Sequence, residues 1–426
     1  MLELPPRFLA AFASLAHAPL GVRQEHGPSH CSRISGSDTV GCMRYWNTAL
    51  LLALTCVLGS CSSGENTGSE APAQTSPTPP ANSNSAPSAV FVLGDSLSDV
   101  GNAAAAIDFF LNFPPYPPTV GLCNPKDVLN FGRSCDQLFY RQSRVSNGPV
   151  AVEYLAERLG VGELKPSIHF LTDRPVMGAD YAVAGAKARE DRRGDLARQV
   201  GMLIFDHSER LPADALYVMM IGGNDAIDAL QTAMNGSQDA QQASAAVVTA
   251  AVAAIGTNLE LLLDKGARRL IVANVPDLAM LPAVRAKART SADEADLLAT
   301  ASAITDAFNS ELDKRLDEMS KSTRWHSSAS PQIIRFDLRA AWDAADADAK
   351  AHGKDVVDAC FDSTTYRHSD SADRVFNPGC APAADGIPQF SKFAFWDDLH
   401  PTAAVHAAIG AALVEALHHN AGADGH

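Results

Sequence analysis

From residue 89 onward, short apolar runs alternate with longer stretches whose apolar positions recur every three or four residues. Residues 89–93 (AVFVL) form a β-branched run that stops at Gly94-Asp95-Ser96, the pattern of a buried strand handing over to a turn. Residues 151–159 carry apolar side chains at helical spacing. Residues 216–221 (LYVMMI) read as a second buried strand, ending at Gly222-Gly223-Asn224-Asp225. An alanine-rich helix over about 243–263 leads through Gly266 into a strand at 269–274. A helix over about 292–318 precedes a strand at 333–336, and an amphipathic helix over 403–418 follows later. Strands alternating with long helices predict an α/β fold with a parallel sheet covered on both faces. In such sheets the ligand crevice lies beyond the carboxyl ends of the strands.

The chain before residue 89 has a different character. Met43-Arg44 precedes the apolar Ala49-Leu50-Leu51-Leu52-Ala53-Leu54, and Leu58-Gly59-Ser60-Cys61 follows. A basic start, an apolar core and small residues before a cut site make a secretory signal. The small pair ahead of a cysteine resembles the lipobox of bacterial lipoproteins, in which Cys61 is acylated and becomes the mature N-terminus. Cys56 fits that pattern less well because Leu54-Thr55 precedes it. Residues 62–88 lack any large apolar side chain, so they bury too little surface to offset ordering entropy and are expected to form a flexible tether. Residues 1–42 show no periodicity and are read as an upstream extension, not structured. Residues 89–420 contain no internal repeat or second linker and are read as one domain. The layout predicts an exported protein, either lipid-anchored at the bacterial cell envelope, at the outer membrane, or secreted.

The chain has 426 residues, 46% of them hydrophobic, which is the content of a protein with a sizeable core. Its formal charge of -15 argues against a nucleic-acid partner, which would call for a basic face. No uninterrupted apolar run approaches the roughly 18 residues of a typical transmembrane helix. Among eight cysteines, Cys123, Cys135, Cys360 and Cys380 fall in the expected domain. Four thiols allow three pairings. The local one, Cys123–Cys135 and Cys360–Cys380, closes two short polar loops and is the expected arrangement. The spacing is not that of a zinc site, and no metal is expected.

Four fragments carry candidate chemistry. Ser96 follows the first strand, Gly185 lies in a small-residue stretch, Asn224 ends the second strand, and Asp397 and His400 stand three apart before the last helix. A serine hydroxyl needs a base to take its proton, the work suited to His400. A carboxylate on the other ring nitrogen fixes the tautomer, which assigns Asp397, with Asp398 its competitor. Attack on an ester builds charge on the carbonyl oxygen, which the backbone N–H groups of Ser96 and Gly185 and the Asn224 amide would receive. Asp99 and Asp225 read as turn-stabilising residues, and Asn102 as a candidate brace for the nucleophile loop. The loop at 109–118 and the stretch at 361–392 are candidate walls for a substrate groove.

The blocks GDSLSDVGN (94–102), RVSNGPVAVEYLAERLG (144–160), GGND (222–225) and FWDDLHPT (395–402), in this order, resemble the GDSL, or SGNH, esterases and lipases. The likeness is greatest to the secreted bacterial phospholipase, lecithinase and haemolysin branch. It implies a flavodoxin-like three-layer sandwich and hydrolysis of carboxylic, lipid or acyl, esters through an acyl-enzyme. It also implies no metal or cofactor and the residue roles just given. Acyl transfer from the same acyl-enzyme is the alternative reading, and a non-catalytic envelope lipoprotein a further one. The chain departs from the family pattern at Asp180 and Ala184, where an Asn and the first of two glycines usually stand.

Overall fold

The structure, a computed structural model, describes residues 86–106, 144–172, 176–234, 236–325, 330–361, 376–381 and 388–423. The expected signal, the tether up to residue 85, Cys61, Cys123, Cys135, the 109–118 loop and most of the 361–392 stretch (362–375 and 382–387) lie outside the described residues. Four parallel strands form the central sheet: β1 (Val90–Gly94), β2 (Leu216–Met220), β3 (Arg269–Ala273) and β4 (Gln332–Phe336), paired in that order. Every residue of β1, β2 and β3 is buried, which is why these segments are apolar apart from Arg269 and do not alternate. Strand β4 ends the row and exposes Arg335.

Parallel neighbours need crossovers, and helices supply them. Helices α1 (Ala151–Leu159) and α2 (Leu196–Asp206) lie between β1 and β2, and α3 (Gly223–Ala233) and α4 (Gln238–Asp264) between β2 and β3. Next come α5 (Pro282–Arg289) and α6 (Glu294–Ser320), leading to β4. After it follow α7 (Leu338–Ala351), the short parallel pair β5 (Asp355–Ala359) and β6 (Phe393–Phe395), and α8 (Ala403–Ala423). Helices α1, α7 and α8 pack together on one side, and α2, α3, α4 and α6 on the other, giving the three-layer α/β sandwich. The four strands of the central sheet and four of the helices fall where the pattern predicts them, while β5 and β6 are not predicted by it. Helices α2, α3, α5 and α7 add to it, and α4 begins earlier than expected. By length and composition α4 could cross a bilayer, yet half of its most apolar window is buried against the rest of the fold.

Local chemistry fixes where helices begin. Ser237 accepts a hydrogen bond from the Ala240 N–H at the start of α4, and Asp337 does the same for Ala340 at the start of α7. Glu153 reaches back to the Val150 N–H at the start of α1.

Residues 179–183 run along the other edge of β1. The Val92 N–H donates to the Ala179 carbonyl (2.9 Å), the Tyr181 N–H to Val92 (2.8 Å) and the Val183 N–H to Gly94 (3.1 Å). Strand β1 therefore has the segment at 179–183 on one flank and β2 on the other. The order of chain passage reverses at β1, which makes its carboxyl end the switch point where a crevice opens. Gly94 is confined by this arrangement, since a Cβ there would lie 2.4 Å from the Met220 carbonyl oxygen of β2.

Cys360 and Cys380 form a disulfide with a Cα–Cα distance of 5.2 Å, in the expected local pairing. It lies beside β6, where the Cys360 N–H donates to the Phe395 carbonyl and the Phe361 N–H to that of Trp396. The segment that follows, Asp397 to His400, is thus anchored from its N-terminal side.

Candidate active site

Ser96 sits in the turn just past β1, at the switch point. The His400 Nε2 atom lies 2.8 Å from the Ser96 hydroxyl, across 304 positions of sequence. The His400 Nδ1 atom lies 2.8 and 2.9 Å from the two Asp397 carboxylate oxygens. Asp397 also accepts the backbone N–H groups of Leu399 (2.9 Å) and His400 (2.8 Å), so the turn holds its own carboxylate in place. The block at 144–148 clasps this turn: the Ser146 hydroxyl donates to the Pro401 carbonyl and the Ala403 N–H to the Asn147 side chain.

Electrostatics follow from burial and pairing. Burial alone would raise the pKa of Asp397, but the charge and hydrogen bond of His400 and two backbone N–H groups hold it below the usual carboxylate range. For His400, burial works downward, and the Asp397 carboxylate outweighs it and carries the imidazole above its ordinary value. Asp95, next to the serine, is pushed up to about 7, chiefly by burial.

Of the expected oxyanion donors, Ser96 and Asn224 line one cleft. Gly185 has φ +82°, a left-handed conformation that favours glycine. Among the described residues, the backbone N–H groups of Ser96 and Gly185 have no intramolecular acceptor. The Asn224 amide lies in the first turn of α3 and donates to the Ala186 carbonyl at 3.0 Å, tying the Gly185 loop to the α3 terminus.

The two departures from the family pattern are absorbed. Asp180 is fully buried, and its carboxylate accepts the N–H groups of Val100 (2.8 Å) and Ala182 (2.9 Å). Burial first, and then neighbouring Asp99, raise its pKa well above the carboxylate range. Ala184 sits outside the positive-φ conformations, and its N–H donates to Asp99 at 2.8 Å. Asp99 also accepts from Gly101, Asn102 and Ala103, and Asp225 from Ala188, so both stabilise turns as expected. Asn102 braces the nucleophile turn by donating to the Asp180 and Ala182 carbonyls, each at 2.9 Å.

One residue that no motif marks joins these parts. Gln199, fully buried on α2, accepts the Gly94 N–H (2.8 Å) and donates to the carbonyls of Gly94 (2.8 Å) and Gly194 (2.7 Å). Neighbouring Asp195 accepts the N–H groups of Lys187 and Arg192. The strand end before Ser96 and the loop after Gly185 are thereby fixed to one helix. No sequence signal separates Gln199 from other polar residues on helices.

A small cleft of about 50 Å³ lies at Ser96 and His400 and is walled mainly by apolar side chains. Its far wall comes from the loop after β3 and from α7, segments the sequence does not flag. Among the described residues no group of three His, Cys, Asp or Glu side chains is placed to hold a metal ion.

Comparison with known proteins identifies the family. A family model described as GDSL-like lipase/acylhydrolase matches residues 90–413. The GDSL esterase/lipase LIP-4 of Arabidopsis thaliana is 24% identical over 361 residues, covering 78% of this chain and 86% of the relative. Phosphatidylcholine-sterol acyltransferase of Aeromonas hydrophila is 26% identical over 361 residues, 77% of this chain and 90% of the relative. Lipase 1 of Photorhabdus luminescens is 28% identical over 197 residues, 46% of this chain and only 23% of that longer protein. Since the match spans the whole sandwich, from β1 to α8, the chain belongs to the GDSL-like lipase/acylhydrolase family.

Proposed function

We propose that Ser96 is the nucleophile of a carboxylic-ester hydrolase, with His400 its base and Asp397 the group that orients the imidazole. The observation that carries this reading is the unbroken contact from the Ser96 hydroxyl through His400 to Asp397. As the serine oxygen bonds to the ester carbonyl carbon, its proton passes to His400 Nε2. The carbonyl oxygen becomes an oxyanion that the N–H groups of Ser96 and Gly185 and the Asn224 amide receive. Collapse expels the alcohol, which takes the proton from His400 and leaves an acyl-Ser96. Water, deprotonated by His400, then releases the acid and restores the serine. Lipid or other acyl esters fit the apolar cleft.

Ser96→Ala should reduce hydrolysis of p-nitrophenyl acetate to background and abolish labelling by a fluorophosphonate probe. Turnover at the wild-type rate in that variant would remove Ser96 from its role.

A second reading, acyl transfer, has the name of the Aeromonas hydrophila relative in its favour. An alcohol would then resolve the acyl-Ser96 in place of water, and product analysis with both acceptors present separates the two. Attachment at the cell envelope through an acylated Cys61 belongs to the same proposal and rests on residues 43–61 alone.

A further inference from the structure

Two aspartates join the segments that carry the backbone oxyanion donors. Asp99, in the turn after Ser96, reaches across to accept the Ala184 N–H (2.8 Å), one residue before Gly185. Asp180, in the segment leading to Gly185, reaches back to accept the Val100 N–H (2.8 Å). Each also binds its own segment: Asp99 accepts from Gly101, Asn102 and Ala103, and Asp180 from Ala182. The spacing between the Ser96 and Gly185 N–H groups is tied to this reciprocal pair. The two backbone bonds of Asp180 fall on separate oxygens, Oδ2 for Val100 and Oδ1 for Ala182. An amide has a single acceptor oxygen, so the asparagine usual at this place serves only one of them.

Two carboxylates in one buried site repel when both are charged. Asp99 and Asp180 are buried, and among the described residues neither forms an ion pair. The other charged groups that face them add to the repulsion, Glu153 of α1 acting on Asp180 and Asp95 on Asp99. Arg144 is engaged by Glu153, with Nε 3.0 Å from Oε2. Asp99 has four backbone N–H donors against two for Asp180, so the negative charge settles on Asp99 and a proton on Asp180. A neutral carboxyl still accepts at both oxygens. An acceptor for its O–H is also close. Asn102 places Nδ2 3.3 Å from Asp180 Oδ2, and the Oδ1 of the same amide is buried with no hydrogen-bond partner among the described residues. Burial and then Asp99 accordingly hold Asp180 well above the usual carboxylate range.

We propose that Asp180 is a positioning residue of the oxyanion site, a neutral carboxyl that pairs with charged Asp99 to lock the nucleophile turn to the Gly185 loop. The role rests on the ester-hydrolase reading above and extends it to a residue outside the four sequence blocks. It gives the enzyme an alkaline limit. When Asp180 ionises, the two carboxylates repel, and the Gly185 N–H moves away from that of Ser96. The oxyanion forms only on the way through the transition state, so kcat falls while KM holds.

The test measures kcat and KM for p-nitrophenyl acetate from about pH 6 to about pH 10 on the full chain, with Ser96→Ala as the blank for spontaneous hydrolysis. After the rise through His400, wild-type kcat should fall again at alkaline pH, with KM little changed. Asp180→Asn gives up one N–H bond and has nothing to ionise. Its plateau should lie about tenfold below wild type, and the alkaline fall should be absent. A loosened fold would lower the plateau and leave that fall in place. Infrared difference spectra, wild type minus Asp180→Asn, should show the carbonyl band of a protonated carboxyl at neutral pH, lost with the same midpoint as kcat. Should Asp180→Asn fail to fold, Glu153→Gln removes a negative neighbour, and the alkaline fall should then begin at lower pH. A wild-type kcat that stays level, an alkaline fall that the variant leaves unmoved, or the absence of the infrared band overturns the proposal. Failure of the underlying reading looks different, because then no ester is cleaved and no fluorophosphonate probe binds Ser96.

Discussion

At the scale of single residues, the hydrogen-bonded line Ser96–His400–Asp397 governs how activity should respond to pH. His400 must be neutral to accept the serine proton, and its pKa is raised because Asp397 outweighs burial. Log kcat/KM should therefore rise with pH and level off only above the ordinary histidine value of about 6.5. A pH–rate profile locates that limb, and a midpoint below 6.5 would contradict the assignment. Asp397→Asn removes the charge that raises His400 and leaves the imidazole free to adopt the wrong tautomer. It should lower kcat by about 10⁴-fold and move the limb to lower pH. These residues were legible in the sequence because each lies in a short block whose neighbours are fixed by the turn it makes. Gly94 is closed in by the Met220 carbonyl, and Asp397 must span both its own turn and the imidazole.

At the scale of elements, the nucleophile turn and the Gly185 loop are both tied to α2, the first through Gln199 and the second through Asp195 at its start. Gln199→Leu keeps the volume but removes the acceptor of the Gly94 N–H and the donor to the Gly94 and Gly194 carbonyls. It should lower kcat by one to two orders of magnitude with little change in KM. Gln199→Glu can accept from Gly94 but donates only when protonated. Its kcat should recover toward acid pH relative to wild type, a profile that general loosening of the fold would not produce. The pattern of the sequence did not disclose α2, and the reason is physical. Its buried face carries Leu196, Val200, Leu203 and Ile204, but Gln199 lies among them and Gly201 interrupts a helix-forming run. Helix α7 is obscured differently. Leu338 and Trp342 are followed on its buried face by Ala345 and Ala349, which add little hydrophobic contrast to a sequence rich in aspartate. The far wall of the cleft is hidden in the same way, since it is ordinary leucine and tryptophan until the fold turns it toward Ser96.

Across the whole molecule, buried ionisable groups divide the pH dependence of stability. His406 of α8 is buried, accepts the Ala151 N–H of α1, and has its pKa lowered to about 3, first by burial and then by the nearby His400. Between pH about 6.5 and about 3 the unfolded chain binds a proton here that the native state refuses, so stability falls as pH falls, by a few kcal/mol in all. Asp95 and Asp225 act in the opposite sense. Burial raises them to about 7 and about 6, so the native state holds their protons longer, and their contribution falls as pH rises from about 3.8. His406→Gln retains an acceptor for Ala151 and cannot charge. Its denaturation midpoint should lie below that of wild type at pH 7 and decline less steeply toward pH 4. A slope equal to that of wild type would mean that other groups set the acid limit.

The 304 positions between the serine and its base carry a consequence for biosynthesis. A nascent chain made as far as Trp396 holds the hydroxyl, the backbone amides around it and most of the sheet, yet nothing to take the proton. Hydrolytic competence arrives only when the final turn is synthesised and clasped by Ser146 and Asn147, with α8 seated against α1. On the proposed mechanism, copies that end before Asp397 should therefore be inert toward esters, which expression of the truncated chain would check.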